Sequence, residues 1–201
     1  MLRFLRNLAL ALALAAFAAA SVLLWTSSDP FYTVQEWASL GRFAAHDDII
    51  RELSEKRHLD PLLVKAIVWR ESAFDASKIG TSGERGLMQV SDAAGRDWAK
   101  AQKIETFLPT DLLDARTNLD AGTWYLRRAL DRWKAKDNPI PFALADYNAG
   151  ASRVDRWLQE FALDEKADAH DLMLAITFPG TRRYIEEIEA RHRFYKDRGG
   201  K

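Results

Sequence analysis

From residue 47 onward, apolar side chains recur at helical spacing almost without interruption, and no run alternates with the period of two that a half-buried strand would show. Ile49, Ile50 and Leu53 open the pattern. Asp60-Pro61 is a start signal, an N-cap followed by a first-turn proline, and Leu62, Leu63, Ala66, Ile67 and Trp69 carry the helix to about Ser72. Residues 75–84, with Gly80, Ser82 and Gly83, read as a loop. Residues 86–90 either close that loop or begin a helix running through Ala93, Ala94 and Trp98. Beyond the break at Leu108-Pro109-Thr110, a long helix is expected over 118–133. Asn138-Pro139-Ile140-Pro141 separates it from 142–148, and Gly150 precedes another helical stretch over 154–161. A last helix is expected over 181–195. The expected fold is all-α, one globular domain spanning 47–196 with a short basic tail at 197–201.

The N-terminus has a different pattern. Arg3 and Arg6 precede Leu8–Trp25, eighteen residues almost all apolar or small, which predicts a hydrophobic helix outside the domain. Arg3 and Arg6 before the apolar run orient the start toward the cytoplasm, which puts Asp29 and Glu36 on the far side. Ala18-Ala19-Ala20 fits a removable signal peptide, whereas continuation through Val22-Leu23-Leu24-Trp25 gives about the minimum length of a retained membrane anchor. Either reading sends the rest of the chain out of the cytoplasm, to the periplasm or cell envelope. Membrane attachment, if retained, would run through residues 8–25. Residues 26–46 then form a linker or N-terminal extension with weak helical character from Phe31 to Ala45.

Composition narrows the chemistry. Lys+Arg and Asp+Glu both number 29 in 201 residues, so bulk charge gives no case for a nucleic-acid partner. The lack of cysteine excludes disulfides, thiolate metal sites and a cysteine nucleophile. His46, His58, His170 and His192 have no metal-ligand spacing, and no metal or cofactor is expected. The basic run Arg191-His192-Arg193, with Lys196, Arg198 and Lys201, reads as a solvated helix end.

Three segments can carry chemistry. Glu71 falls in the last turn of the helix that starts at Pro61, where the helix dipole, burial against Trp69 or Phe74 and the face of Met88 would all favour a protonated carboxyl. A solvated helix-end glutamate is the competing reading. Tyr147-Asn148-Ala149-Gly150 offers hydrogen-bonding side chains beside a close-approach backbone, or simply a helix C-cap. Tyr184 is either a core aromatic or a hydroxyl within reach of a site.

Taken together, Glu71-Ser72, Gly86-Leu87-Met88-Gln89, Ala145-Asp146-Tyr147-Asn148-Ala149-Gly150 and Thr181-Arg182-Arg183-Tyr184 resemble, in order and spacing, the soluble-lytic-transglycosylase-like catalytic domain, over roughly residues 48–195. The resemblance implies a lysozyme-like helical fold and cleavage of peptidoglycan glycan strands between N-acetylmuramic acid and N-acetylglucosamine, leaving 1,6-anhydro ends. It implies Glu71 as the sole catalytic acid and base, with Met88 and Gln89 lining the groove. Tyr147 and Asn148 would contact sugar or acid, and Tyr184 would support the acetamido side. Ser72 and Glu84 are supporting candidates.

Three positions depart from the pattern. Gly80 replaces a serine common nine residues after the acid, Glu84 stands where a small residue is usual, and Gly180 replaces a common acidic residue. These departures leave two alternatives open: a hydrolase of lysozyme type, with Glu84 positioning water, and a binding module without catalysis.

Overall fold

The computed structural model describes residues 2–26, 29–39, 41–164 and 166–199. It divides into two compact units, residues 1–42 and 43–201. In the first, α1 spans Leu2–Thr26 and α2 spans Pro30–Ala38. Arg3–Val22 has a mean hydropathy of 1.8 and exposed side chains, so α1 contains a stretch long and apolar enough to cross a membrane.

The second unit contains α3 (Asp47–Lys56), α4 (Pro61–Ser72), α5 (Asp92–Ala101), α6 (Ala115–Arg132), α7 (Ile140–Ala149), α8 (Ala151–Glu160), α9 (Ala169–Ala175) and α10 (Pro179–Asp197), with a 3-10 turn at Pro109–Leu113. Among the described residues the only strand-like pairing is two isolated bridges, Ile79 with Arg85 and Arg85 with Val90. The all-α expectation therefore holds. Residues 86–90 close the loop, and α5 begins afterwards, where Ser91 accepts a hydrogen bond from the Ala94 N–H at 3.2 Å. The sequence pattern assigned no element to α9. It is a seven-residue helix held by a reciprocal cap, Asp168 with the Asp171 N–H and Asp171 with the Asp168 N–H, both 3.0 Å.

Two helices differ from the others. Leu63, Val64, Ala66, Ile67 and Val68 bury α4 on nearly all sides, and residues 141–146 do the same for α7. Neither has the single apolar stripe of a surface helix, because neighbours cover it all round. α4 packs on α10 and α3, and α7 lies against α6, α8, α9 and α10. Asp60 fixes the start of α4 by accepting from the Leu62 N–H at 2.9 Å, and His192 of α10 contacts its other oxygen at 2.7 Å. The α10 basic run is thus not a uniformly solvated end. Arg191 and His192 are buried, with the Arg191 guanidinium 4.2 Å over the Trp69 ring.

Candidate active site

Both buried helices end at one cleft of about 590 Å³. Glu71, in the last turn of α4, borders it together with Tyr147 and Asn148 from the last turn of α7. α4 stops abruptly because Ala73 and Phe74 both take left-handed backbone angles, φ 51° and 62°. Non-glycine residues pay about 1–2 kcal/mol each for that conformation. The turn sends Phe74 into the core, 1% exposed, with its ring 4.9 Å from Phe43. Core packing thereby fixes the helix end that carries the carboxylate.

Tyr184 of α10 is buried, and its hydroxyl donates to Glu71 Oε1 at 2.7 Å. The core reading and the site reading of this tyrosine are both satisfied. Tyr147 donates its hydroxyl to the Met88 carbonyl at 3.0 Å, and its ring meets Tyr125 edge-on at 6.0 Å. The Thr181 hydroxyl donates to Asn148 Oδ1 at 2.7 Å, which orients the exposed Asn148 amide at the cleft rim. Asp146 anchors the same turn from behind, accepting from Arg132 and from Trp133 Nε1, each at 3.0 Å.

The opposite wall is the segment 78–90. Lys78 bonds the Glu71 backbone carbonyl through its ammonium, and Gln89 Nε2 donates to the Lys78 and Gly86 carbonyls at 3.1 and 2.9 Å. Asn118, fully buried on α6, holds the turn from beneath. Its amide accepts from the Met88 N–H at 2.8 Å and donates to the Arg85 and Leu112 carbonyls at 2.7 and 2.8 Å. Gly86, at φ 74°, leaves room for that amide, since a Cβ there would lie 2.3 Å from Asn118 Nδ2.

The electrostatics follow from this enclosure. Burial pushes the Glu71 carboxyl up to about 7, against the Tyr184 hydrogen bond and the charges of Arg70 and Lys78, while the Glu84 charge adds to the rise. Burial and then the proximity of Glu71 push both the Tyr184 and the Tyr147 hydroxyls well above the usual tyrosine range, so they remain donors. Arg70 borders the cleft, pairs with Glu187 at 2.5 Å and lies 5.7 Å over the Tyr184 ring. A carboxyl that titrates near neutrality can both give and take a proton.

Of the candidate residues, Glu71, Glu84, Gln89, Tyr147 and Asn148 border the cleft, and Tyr184 reaches it through its hydroxyl. Met88 does not line the groove with its side chain. That side chain is fully buried across Gly122, where a Cβ would sit 2.5 Å from the sulfur, and Met88 serves the site through its carbonyl. Ser72 is buried, and its hydroxyl donates to the Val68 carbonyl at 3.1 Å, so it does not face Glu71. The motifs did not bring forward Lys78, Tyr125 or Asn118. Only Asn118 had a readable signal, an amide among apolar positions on a helix that also carries Gly122. No cluster of potential metal ligands occurs among the described residues.

The soluble lytic murein transglycosylase of Escherichia coli K12 is 29% identical over 76% of this chain and 23% of its own length. The membrane-bound lytic murein transglycosylase F of Klebsiella pneumoniae is 34% identical over 70% of this chain and 27% of its own. The crystal structure of the 70 kDa soluble lytic transglycosylase of E. coli superposes with a TM-score of 0.69 at 29% identity, covering 78% of this chain and 25% of that one. The chain spans about a quarter of the length of these relatives. The shared helical architecture is the lysozyme-like one. Residues 48–169 match the Transglycosylase SLT domain, and the chain belongs to that family.

Proposed function

We propose that the protein is a peptidoglycan lytic transglycosylase in which Glu71 is the acid and then the base. The observation that carries this reading is a buried carboxyl raised to about 7, hydrogen-bonded by Tyr184 and bordering the cleft. Glu71 protonates the oxygen between N-acetylmuramic acid and N-acetylglucosamine, and the C1–O bond breaks as positive charge develops at C1. The neighbouring acetamido group stabilises that charge, which removes the need for a second nucleophilic carboxylate. Ionised Glu71 takes the proton of the C6 hydroxyl, whose oxygen bonds to C1. The product is a 1,6-anhydro end, no water is consumed, and Glu71 is again protonated.

Asn148 contacts the sugar from the rim, Gln89 offers its amide oxygen, and Tyr147 and Tyr184 hold the acid's surroundings. The substrate is the glycan strand. Residues 47–196 form the catalytic domain, 26–46 a linker and 197–201 a basic tail, of which 200–201 lie outside the described residues. α1 serves as export signal or inner-membrane anchor, placing the domain in the periplasm or at the cell envelope.

One observation favours a second outcome. The Glu84 carboxyl also borders the cleft, where it could orient a water and divert the intermediate to hydrolysis. Mass spectrometry of peptidoglycan digested by the full chain in detergent decides between them. Anhydro-ended fragments are expected. Reducing ends would replace the transglycosylase reading by a hydrolase, and binding without cleavage would overturn both.

A further inference from the structure

Gly80 needs no glycine for its backbone. Unlike Gly83 and Gly86, at φ 92° and 74°, it is not in the left-handed region. Its requirement is space. A Cβ at Gly80 would lie 2.5 Å from Glu84 Oε2 and 2.7 Å from Gln89 Oε1. The Gly80 N–H donates to the Glu84 carbonyl at 2.7 Å, and the Ser82 N–H donates to Glu84 Oε2 at 3.2 Å. The turn therefore folds the Glu84 side chain back over its own first residue. The carboxyl end of Glu84 and the amide end of Gln89 fill the space beside Gly80, on the wall of the cleft that holds Glu71, and a side chain at residue 80 would displace these flexible ends.

The charged and titratable groups around Glu71 come from four directions. Arg70 lies on α4, Tyr184 on α10, Tyr147 on α7, and Lys78 and Glu84 on the loop. The Tyr184 hydrogen bond and both cations favour ionised Glu71. Asp146 also borders the cleft but is paired with Arg132 at 3.0 Å. Among these charged groups Glu84 alone opposes ionisation, in the same sense as burial.

We propose that Gly80 and Glu84 act as one device: the glycine admits the Glu84 carboxylate to the cleft wall, and its charge keeps Glu71 protonated to higher pH. Glu84 is a positioning residue in this scheme, exchanging no proton with the substrate. The proposal rests on the reading of Glu71 as the acid, but its test does not need turnover.

The measurement is a titration of the Glu71 side-chain carboxyl by carbon NMR on the full chain in detergent, with the pH profile of peptidoglycan cleavage beside it. Glu84→Gln keeps the size and the acceptor for Ser82 while removing the charge. It should lower the Glu71 midpoint by about half a pH unit, the effect of one nearby charge in water-rich surroundings. The alkaline limb of the profile should move down by the same amount, and 1 M salt should shrink the difference. Gly80→Ala, which displaces the carboxylate, should shift the midpoint in the same direction, and the double variant should shift it no further than Glu84→Gln alone. An unchanged midpoint in Glu84→Gln at low salt overturns the proposal, whether or not Gly80→Ala folds. So would a loss of stability and a uniform fall in rate with the limb in place, which is the mark of a structural role. If the wild type cleaves nothing, the functional reading fails and the NMR midpoint still decides the device.

Discussion

The cleft has two halves built in opposite ways. On one side, Glu71, Tyr147 and Tyr184 stand on helices whose positions are set by apolar burial, with Val64, Ile67, Leu144 and Ile185 all fully buried. On the other, residues 78–90 form no helix: Leu87 and Met88 are buried, backbone hydrogen bonds such as that from the Gly86 N–H to the Lys78 carbonyl at 2.8 Å close the loop, and the Asn118 and Gln89 amides clamp it. The helical half holds the Glu71 carboxyl in a fixed, desolvated place. The loop half supplies charge and carbonyl groups that tune it. A core-built half tolerates loss of one contact, because many others hold its backbone. The loop half depends more on individual polar contacts, because no helical ladder holds its backbone.

The largest effect should come from Glu71→Gln, which removes the proton that the proposed mechanism uses and leaves the helical half otherwise unchanged. Cleavage should fall by roughly a thousandfold or more. Stability should move the other way. The Glu71 carboxyl rises from an ordinary 4.5 to about 7 on folding, so its contribution is fully present below 4.5 and is lost as pH rises through 7. The glutamine variant should therefore be more stable than wild type by about 2–3 kcal/mol at pH 8 and no more stable at pH 4. Urea unfolding at the two pH values checks this. Equal gaps at both would show that Glu71 is not desolvated.

Next in size is Asn118→Ala, which strikes only the loop half. It leaves the Met88 N–H and the Arg85 and Leu112 carbonyls without their amide partner and should cost about 3 kcal/mol. Helical circular dichroism should persist at low temperature while cleavage collapses. Retained activity would mean that the loop does not depend on this clamp and that the contrast between the halves is overdrawn.

The same contrast explains what could be read in the sequence. Helical spacing and the Asp60-Pro61 start located α4, because periodicity and capping are local properties, whereas Glu71, Tyr147 and Tyr184 came forward through the family resemblance of the four motifs. The opposed wall was less legible. Met88 in an apolar-looking motif suggested a groove side chain, yet it is core, since Gly122, on a helix far along the chain, opens room for it. Ser72 adjoins Glu71 in sequence but turns its hydroxyl into its own helix. Lys78 and Asn118 act through backbone carbonyls and N–H groups, partners that side-chain motifs do not record.

Tyr184→Phe has a smaller effect and joins the acid to the fold. The hydroxyl favours ionised Glu71, so its removal should raise the Glu71 midpoint above about 7 and move the alkaline limb of the pH profile up. Activity on the plateau should drop about tenfold, with a stability cost of about 1 kcal/mol. A limb that moves down would mean that Tyr184 donates to the protonated acid instead.

The smallest effect on cleavage should come from Asp60→Ala, at the far end of the same helix. Asp60 caps α4 and meets His192 and Lys196 of α10, at 2.7 and 3.3 Å. Loss of the cap should cost about 1–2 kcal/mol. Burial pushes the Asp60 carboxyl up, but the hydrogen bonds from His192 and the Leu62 N–H outweigh it and hold the group below its ordinary 3.8. A depressed carboxyl stabilises the fold above its ordinary value and stops doing so as pH falls through the lower, folded one, so the gap between variant and wild type should narrow in strong acid. The pH limb of cleavage should stay where it is, because many apolar contacts, rather than this cap, hold Glu71 at the other end of α4. If the limb moves with Asp60→Ala, the helical half transmits a change at its start as readily as the loop transmits one at Asn118. The division between a core-built acid and a hydrogen-bonded tuning wall would then fail.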